Sequence, residues 1–283
     1  MADDPPRSRS ARQAAEAALV RVVHHYGARP EFVVLGGLVP ELLCVGSPFH
    51  HAGTTDVDVQ VNLEIARGSV NTRRLEEALK KAGFKPDNER VWRWLDRETT
   101  PACIVKFELL ADLDDQPAGS TVRFDQCDRL GAANLRGSGF AARDLVPHGL
   151  SGSIDGVVRT VEVNFTGLAG FLLAKAAAAH SRRKAKDWYD IAFVLLYNSE
   201  GGPSNAVTAV LTKFGSELTG VTRRALDDLL ANFQSSRDQG PEAYVSQMLL
   251  DHPDSDPVTL AADAILAVEA FHAGLFGSGS RAQ

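Results

Sequence analysis

Asp56-Val57-Asp58-Val59-Gln60-Val61-Asn62-Leu63 alternates polar and apolar residues without a break, the period of a strand with one buried and one wet face. Residues two apart on a strand share a face, so Asp56 and Asp58 stand side by side. Two ionised carboxylates that close repel each other unless a cation lies between them, and an oxygen-ligated divalent ion meets that need. Upstream, Phe32-Val33-Val34-Leu35 is a short apolar run ending at Gly36-Gly37, which reads as a buried strand feeding a glycine turn and then a helix over roughly 38–45. Glycines in such a turn let backbone N–H groups approach a triphosphate closely. Taken alone, an Asp-x-Asp pair is more simply the wet face of an edge strand.

A third carboxylate changes its weight. In Cys103-Ile104-Val105-Lys106-Phe107-Glu108-Leu109-Leu110 the charge of Glu108 is set in an otherwise apolar strand and needs a partner. Either it pairs with Lys106 on that strand's polar face, or it joins Asp56 and Asp58 from a neighbouring strand in a three-carboxylate metal site. A second cluster lies in Leu168–Leu196, where Lys175 sits in an alanine-rich apolar helix in which an unpaired ammonium is costly. If that helix runs on, Arg182, Lys186 and Asp190 lie within about 60° of Lys175. If it breaks near Ser181, Asp187 begins a second helix beside its positive end. Both aspartates therefore remain candidates, and Lys175, Arg182 and Lys186 are candidate phosphate contacts.

Outward from these clusters, residues 1–11 are polar and read as a disordered tail, with a first helix from about Arg12 to His25 stopped by Gly27. A helix over 71–82 ends at Gly83, and strands follow at Val91–Leu95, Cys103–Leu110, Val122–Phe124 and Val157–Val163. After Phe165 helical periods dominate, near 166–180, 187–198, 204–213, 218–233, 241–249 and 258–272. The expected architecture is α/β: a mixed-sheet domain over 12–164, then an all-α C-terminal domain over 165–276.

The bulk composition narrows the functions open to such a chain. Its 283 residues carry 36 acidic and 30 basic side chains, a net charge of −6, which argues against DNA coating but leaves room for a local basic patch facing an NTP or RNA. No run approaches 18 consecutive apolar residues, and the start has no secretory signal, so a cytoplasmic location without a membrane span is expected. Cys44, Cys103 and Cys127 are odd in number and widely spaced, as reduced thiols are. His24-His25 and His50-His51 are adjacent pairs without metal-ligand spacing; Asp112–Asp115 and Asp227-Asp228 read as solvated surface, and Trp92 and Trp94 as packing.

Taken together, Leu35-Gly36-Gly37, Thr54-Thr55-Asp56-Val57-Asp58, Gly83-Phe84, Lys106-Phe107-Glu108-Leu109-Leu110, and Lys175 followed by Lys186-Asp187-Trp188-Tyr189-Asp190 resemble, in order and approximate spacing over about 32–197, the AbiEii family of nucleotidyltransferase toxins, including MenT-type enzymes that modify tRNA. Two positions depart from the family pattern: Glu108 stands where Asp is usual, and His50-His51 where Arg often precedes the Thr. The resemblance implies a polymerase-β-like nucleotidyltransferase palm, Mg²⁺ (two ions, with Mn²⁺ as a substitute) on Asp56, Asp58 and Glu108, and an NTP bound by Gly36, Gly37, Thr54, Thr55, Lys175, Arg182 and Lys186. It gives Asp187 or Asp190 a catalytic or organising role and makes the histidines loop or phosphate contacts. The implied acceptor is RNA, at the 3′ end of tRNA, and the implied partner a cognate antitoxin. The competing readings are a small-molecule acceptor such as an aminoglycoside, a protein acceptor, and an inactive fold that only binds.

Overall fold

The computed structural model of the protein describes residues 8–54, 56–60, 70–97 and 104–277. Most of the expected tail, Thr55, the end of the Asp56–Leu63 strand and Cys103 lie outside them. The described chain is α/β, an open mixed sheet followed by a helical C-terminal part, and it divides into two compact units: Met1–Val39 with Gly53–Thr166, and Pro40–Ala52 with Gly167–Gln283.

In the first unit, α1 (Arg9–Tyr26) starts earlier than its periodicity predicts, because the Ser8 hydroxyl accepts the Ala11 N–H at 3.1 Å and caps it. Residues 9–11, expected in the tail, are therefore helical. Gly27, at φ 77°, ends the helix with its N–H on Val23 and His24 carbonyls. Ala15, Ala18, Leu19, Val22, Val23 and Tyr26 bury one stripe of α1, which packs on α3 (Val70–Lys81) and on the sheet.

The strands are β1 (Val33–Leu35), β2 (Asp56–Gln60), β3 (Lys85–Pro86), β4 (Arg93–Asp96), β5 (Val105–Ala111), β6 (Thr121–Arg123), β7 (Gly131–Asn134), β8 (Leu145–Ile154) and β9 (Val157–Thr166). Their order is β3-β4-β5-β2-β1-β9-β8, with β7 continuing beside β5 and β6 beside β7. The β2–β5 and β1–β9 pairs are parallel; β1–β2, β3–β4, β4–β5 and β8–β9 are antiparallel. One face is apolar: Val57, Trp94, Val105, Phe107 and Leu109 are buried, while Arg93, Leu95, Lys106, Glu108 and Asp58 alternate with them on the other, half-buried face. A short helix, α4 (Gly139–Ala142), leads into β8.

The second unit contains α2 (Val39–Leu43) beyond its first residue, then α5 (Leu168–Arg182), α6 (Ala185–Tyr197), α7 (Pro203–Phe214), α8 (Gly220–Ala231), α9 (Gln239–Asp251) and α10 (Pro257–Phe276). Its core centres on α6, whose Trp188, Tyr189, Ile191, Phe193, Val194 and Leu195 are buried almost all round. The length and apolar content of α10 would suffice to cross a membrane. Here Leu260, Ala264, Ala267, Val268 and Phe271 pack that helix onto its neighbours, and the exposed Asp263 and Glu269 put charge on its other face.

Candidate functional site

The carboxylate strand of the first unit is built as its alternation predicts. Asp56 pairs in register with Lys106, and Asp58 with Glu108, across the parallel β2–β5 ladder. Arg93 of β4 lies opposite Glu108, so one rung of the wet face reads Arg93–Glu108–Asp58. The next rung reads Lys85–Leu95–Lys106–Asp56. Asp58 and Glu108 are like charges in register, but Arg93 lies opposite Glu108 and Lys106 opposite Asp56, and these two cations offset part of the repulsion among the three acids. Lys106 Nζ lies 3.2 Å from Asp56 Oδ1, and the Arg93 guanidinium donates to Glu108. Glu108 does stand beside Asp58 from a neighbouring strand, as one of the two readings had it, but its ion pair is with Arg93, and Lys106 pairs with Asp56 rather than with Glu108.

The Gly-Gly turn lies directly against this strand. Gly36 has φ 78°, and a Cβ built there would come within 2.0 Å of Asp58 Oδ2. A Cβ on Gly37 would come within 2.7 Å of Thr54 Cβ. Only glycine fits the first position, for its dihedral and for the carboxylate beside it. The Thr54 hydroxyl accepts the Asp56 N–H at 3.0 Å and fixes the start of β2.

Asp56 and Asp58 present oxygen ligands suited to Mg²⁺, which takes one or two carboxylates and completes its shell with phosphate and water. The expected third ligand is not assembled: among the described residues no three His, Cys, Asp or Glu side chains stand together as a metal-holding group, and Glu108 is turned onto Arg93. The two-carboxylate part of the expected site fits a hard cation; the three-carboxylate part does not.

In the second unit the helix does break, at Arg183, whose φ of 51° is left-handed. The sequence left Asp187 and Asp190 as alternatives; the break brings both to Lys175, whose Nζ donates to Asp187 Oδ1 at 3.0 Å and Asp190 Oδ2 at 2.6 Å. Arg182 donates two bonds to Asp187, at 2.7 and 2.8 Å. Burial alone would push the Asp187 carboxyl up, but the Lys175 ammonium and Arg182 guanidinium outweigh it and hold it down at about 2. A phosphate reaching Lys175, which is 5% exposed, must therefore compete with two carboxylates, and Arg182 is likewise committed. Lys186 is half-buried in the first turn of α6.

His51 completes this buried set, with Nε2 2.9 Å from Asp190 Oδ1 and its ring against Tyr189 and Phe193. It lies in a loop, as expected, but is buried; His50 beside it is exposed and faces Glu41. No local pattern marks His51, because its partner lies 139 residues away. Comparison of the chain with protein-family models and with curated proteins gives no match.

Proposed function

We propose that this chain is a nucleotidyltransferase that moves a nucleotide from an NTP to an RNA acceptor, with tRNA the first acceptor to test. The observation that carries the reading is the packing of Gly36 against the Asp58 carboxylate, on a strand where Asp56 and Asp58 share one wet face. A turn rich in N–H groups and two oxygen ligands thereby lie side by side in one compact unit, which is what binding a metal-chelated triphosphate requires. Asp56 and Asp58 would hold the ions. When bound, Mg²⁺ offsets the charge of the triphosphate and of the leaving pyrophosphate. An acceptor hydroxyl attacks the α-phosphorus, the bond to the β-phosphate oxygen breaks, and pyrophosphate leaves with the electron pair. The hydroxyl proton passes to water or to a carboxylate of the wet face. The residues contribute mostly by positioning and electrostatics. We assign the Lys175–Asp187–Asp190–His51 set the role of fixing the α5–α6 corner of the helical unit. Toxin action against translation, neutralised by an antitoxin, belongs to the same proposal.

Incubation with Mg²⁺, tRNA and each α-labelled NTP in turn tests this on a denaturing gel. Label on RNA that disappears with Asp56→Ala is expected; no label on RNA with any NTP overturns the reading. The Lys106–Asp56 ion pair favours a second reading, an inactive fold in which the lysine replaces the cation. Manganese binding followed by electron paramagnetic resonance separates the two: the inactive fold binds no Mn²⁺ at Asp56 and Asp58.

A further inference from the structure

On the sheet face that carries Asp56, the outer end of the Lys85–Leu95–Lys106–Asp56 rung opens into a groove of about 930 Å³. Lys85, Leu95, Arg97 and Arg129 line it, with Asp87 and Glu89. Leu95 and Lys85 are in register, so both lie on the same face as Lys106 and Asp56, and Arg97 follows just beyond the end of β4 and lines the same groove. Arg97 and Arg129 are exposed and make no side-chain ion pair among the described residues, although the chain holds 36 acids to 30 bases. Arg129 stands on anchored backbone: the buried Glu76 carboxylate accepts the Asp128 and Arg129 N–H groups at 3.0 and 2.7 Å. Two acids share the lining with the three cations: Asp87, which accepts the Glu89 N–H at 2.8 Å, and Glu89 itself, so the cations exceed the acids by one.

We infer that this groove binds the phosphodiester backbone of a single-stranded RNA segment whose end lies over Asp56 and Asp58; the inference rests on the transfer reading for the direction of the strand, though not for the binding itself. Distance chooses the ligand. Three strand spacings separate β3 from β2, about 14 Å at roughly 4.8 Å each. A triphosphate engaged at Asp56 is too short to cover that span, whereas a strand of a few nucleotides lays one phosphate after another along it. Cations at the rim of a groove, without aromatic side chains in the lining, hold backbone and carry no base preference.

The test is fluorescence anisotropy of a 5′-fluorescein single-stranded 12-mer RNA of mixed sequence with the full chain, in 50 to 200 mM KCl. Arg97→Gln/Arg129→Gln is expected to weaken binding about tenfold and to flatten the log Kd against log salt slope by about 1.4, roughly 0.7 for each of two lost phosphate contacts. Arg159→Gln/Arg224→Gln makes the same charge change on exposed residues that do not line the groove and is expected to shift Kd less than threefold. Glu89→Gln is expected to tighten binding. Equal losses in the two double variants, no binding by the wild type, or full displacement of the RNA by ATP would each overturn the inference. Asp56→Ala separates the two claims. If it binds RNA as the wild type does, and no protein labels RNA, the groove stands and the transfer reading fails. If the wild type labels RNA and the groove variant does so with unchanged KM, the transfer reading stands and the groove fails.

Discussion

Lys175, Asp187 and Asp190 form a buried set, flanked by the exposed Arg182 on Asp187 and by His51 on Asp190, so removing Lys175 takes the one buried ammonium away from two buried carboxylates. Lys175→Met is expected to lower unfolding free energy by roughly 3–5 kcal/mol at neutral pH, read from denaturant melts. Asp187 adds a pH signature. Its carboxyl is held near 2, below the ordinary 3.8, so the stabilisation it contributes is fully present above about pH 4 and is lost as pH falls toward 2. That loss amounts to about 2 kcal/mol, and Asp187→Asn should lack it, so its acid limb should be the shallower of the two in urea titrations between pH 4 and 2. At the carboxylate strand, Asp56→Ala is expected to abolish transfer with the thermal melt within a few degrees of the wild type; a fully active variant would remove Asp56 from the reaction. Gly36→Ala must displace the Asp58 carboxylate and adopt a left-handed dihedral, so it should cost at least about 1 kcal/mol and most of the activity, seen in melts and labelling together.

The α5–α6 corner shows what an element contributes beyond its residues. Lys175 meets two carboxylates from the following helix only because the chain turns left-handed at Arg183. Such a residue costs roughly 1–2 kcal/mol outside glycine, so Arg183→Gly should be more stable than Arg183→Ala by about 1 kcal/mol in paired melts, since both lose the contacts to Asp228 and Asn232 alike. This corner was half legible in sequence: the apolar run around Lys175 announced a partner, but the choice between a continuous and a broken helix depends on one dihedral at Arg183. β2 was legible because period-2 alternation is local. That the Glu108 strand lies beside it was also expected and is observed; the ion-pair partners were not, because register is a long-range property, and so Glu108 passed to Arg93 and Lys106 to Asp56. β8 escaped notice because Leu145-Val146-Pro147-His148-Gly149-Leu150-Ser151-Gly152 neither alternates nor avoids glycine and proline; at the edge of the sheet a missing N–H is tolerated. The helices of the second unit fell close to their expected places, since Gly and Pro punctuate them and each buries a stripe of helical period.

At the scale of the whole molecule, the sequence suggested one boundary near 164, whereas the chain passes between its units at Val39–Pro40, Ala52–Gly53 and Thr166–Gly167. The segment 40–52 supplies His51 to Asp190, the Ala52 N–H to the Tyr189 hydroxyl at 3.0 Å, and the Leu43 carbonyl to Ser199 at 2.8 Å. No length-wise pattern marks it, because it is short and its partners are distant. A fragment from Gly167 onward should therefore melt lower and less cooperatively than the full chain by circular dichroism, and co-expression with 1–166 should restore part of the difference. The threading also dictates when the protein can be finished. At roughly 5–20 residues per second of synthesis, a separation of 139 residues between His51 and Asp190 leaves the histidine waiting on the order of ten seconds for its carboxylate. The parallel partner of β1 arrives almost as late, on β9. A nascent chain thus emerges from the ribosome with its carboxylate strand made early and its supports made last: the first unit cannot close before β9 has been synthesised, nor the second before Asp190.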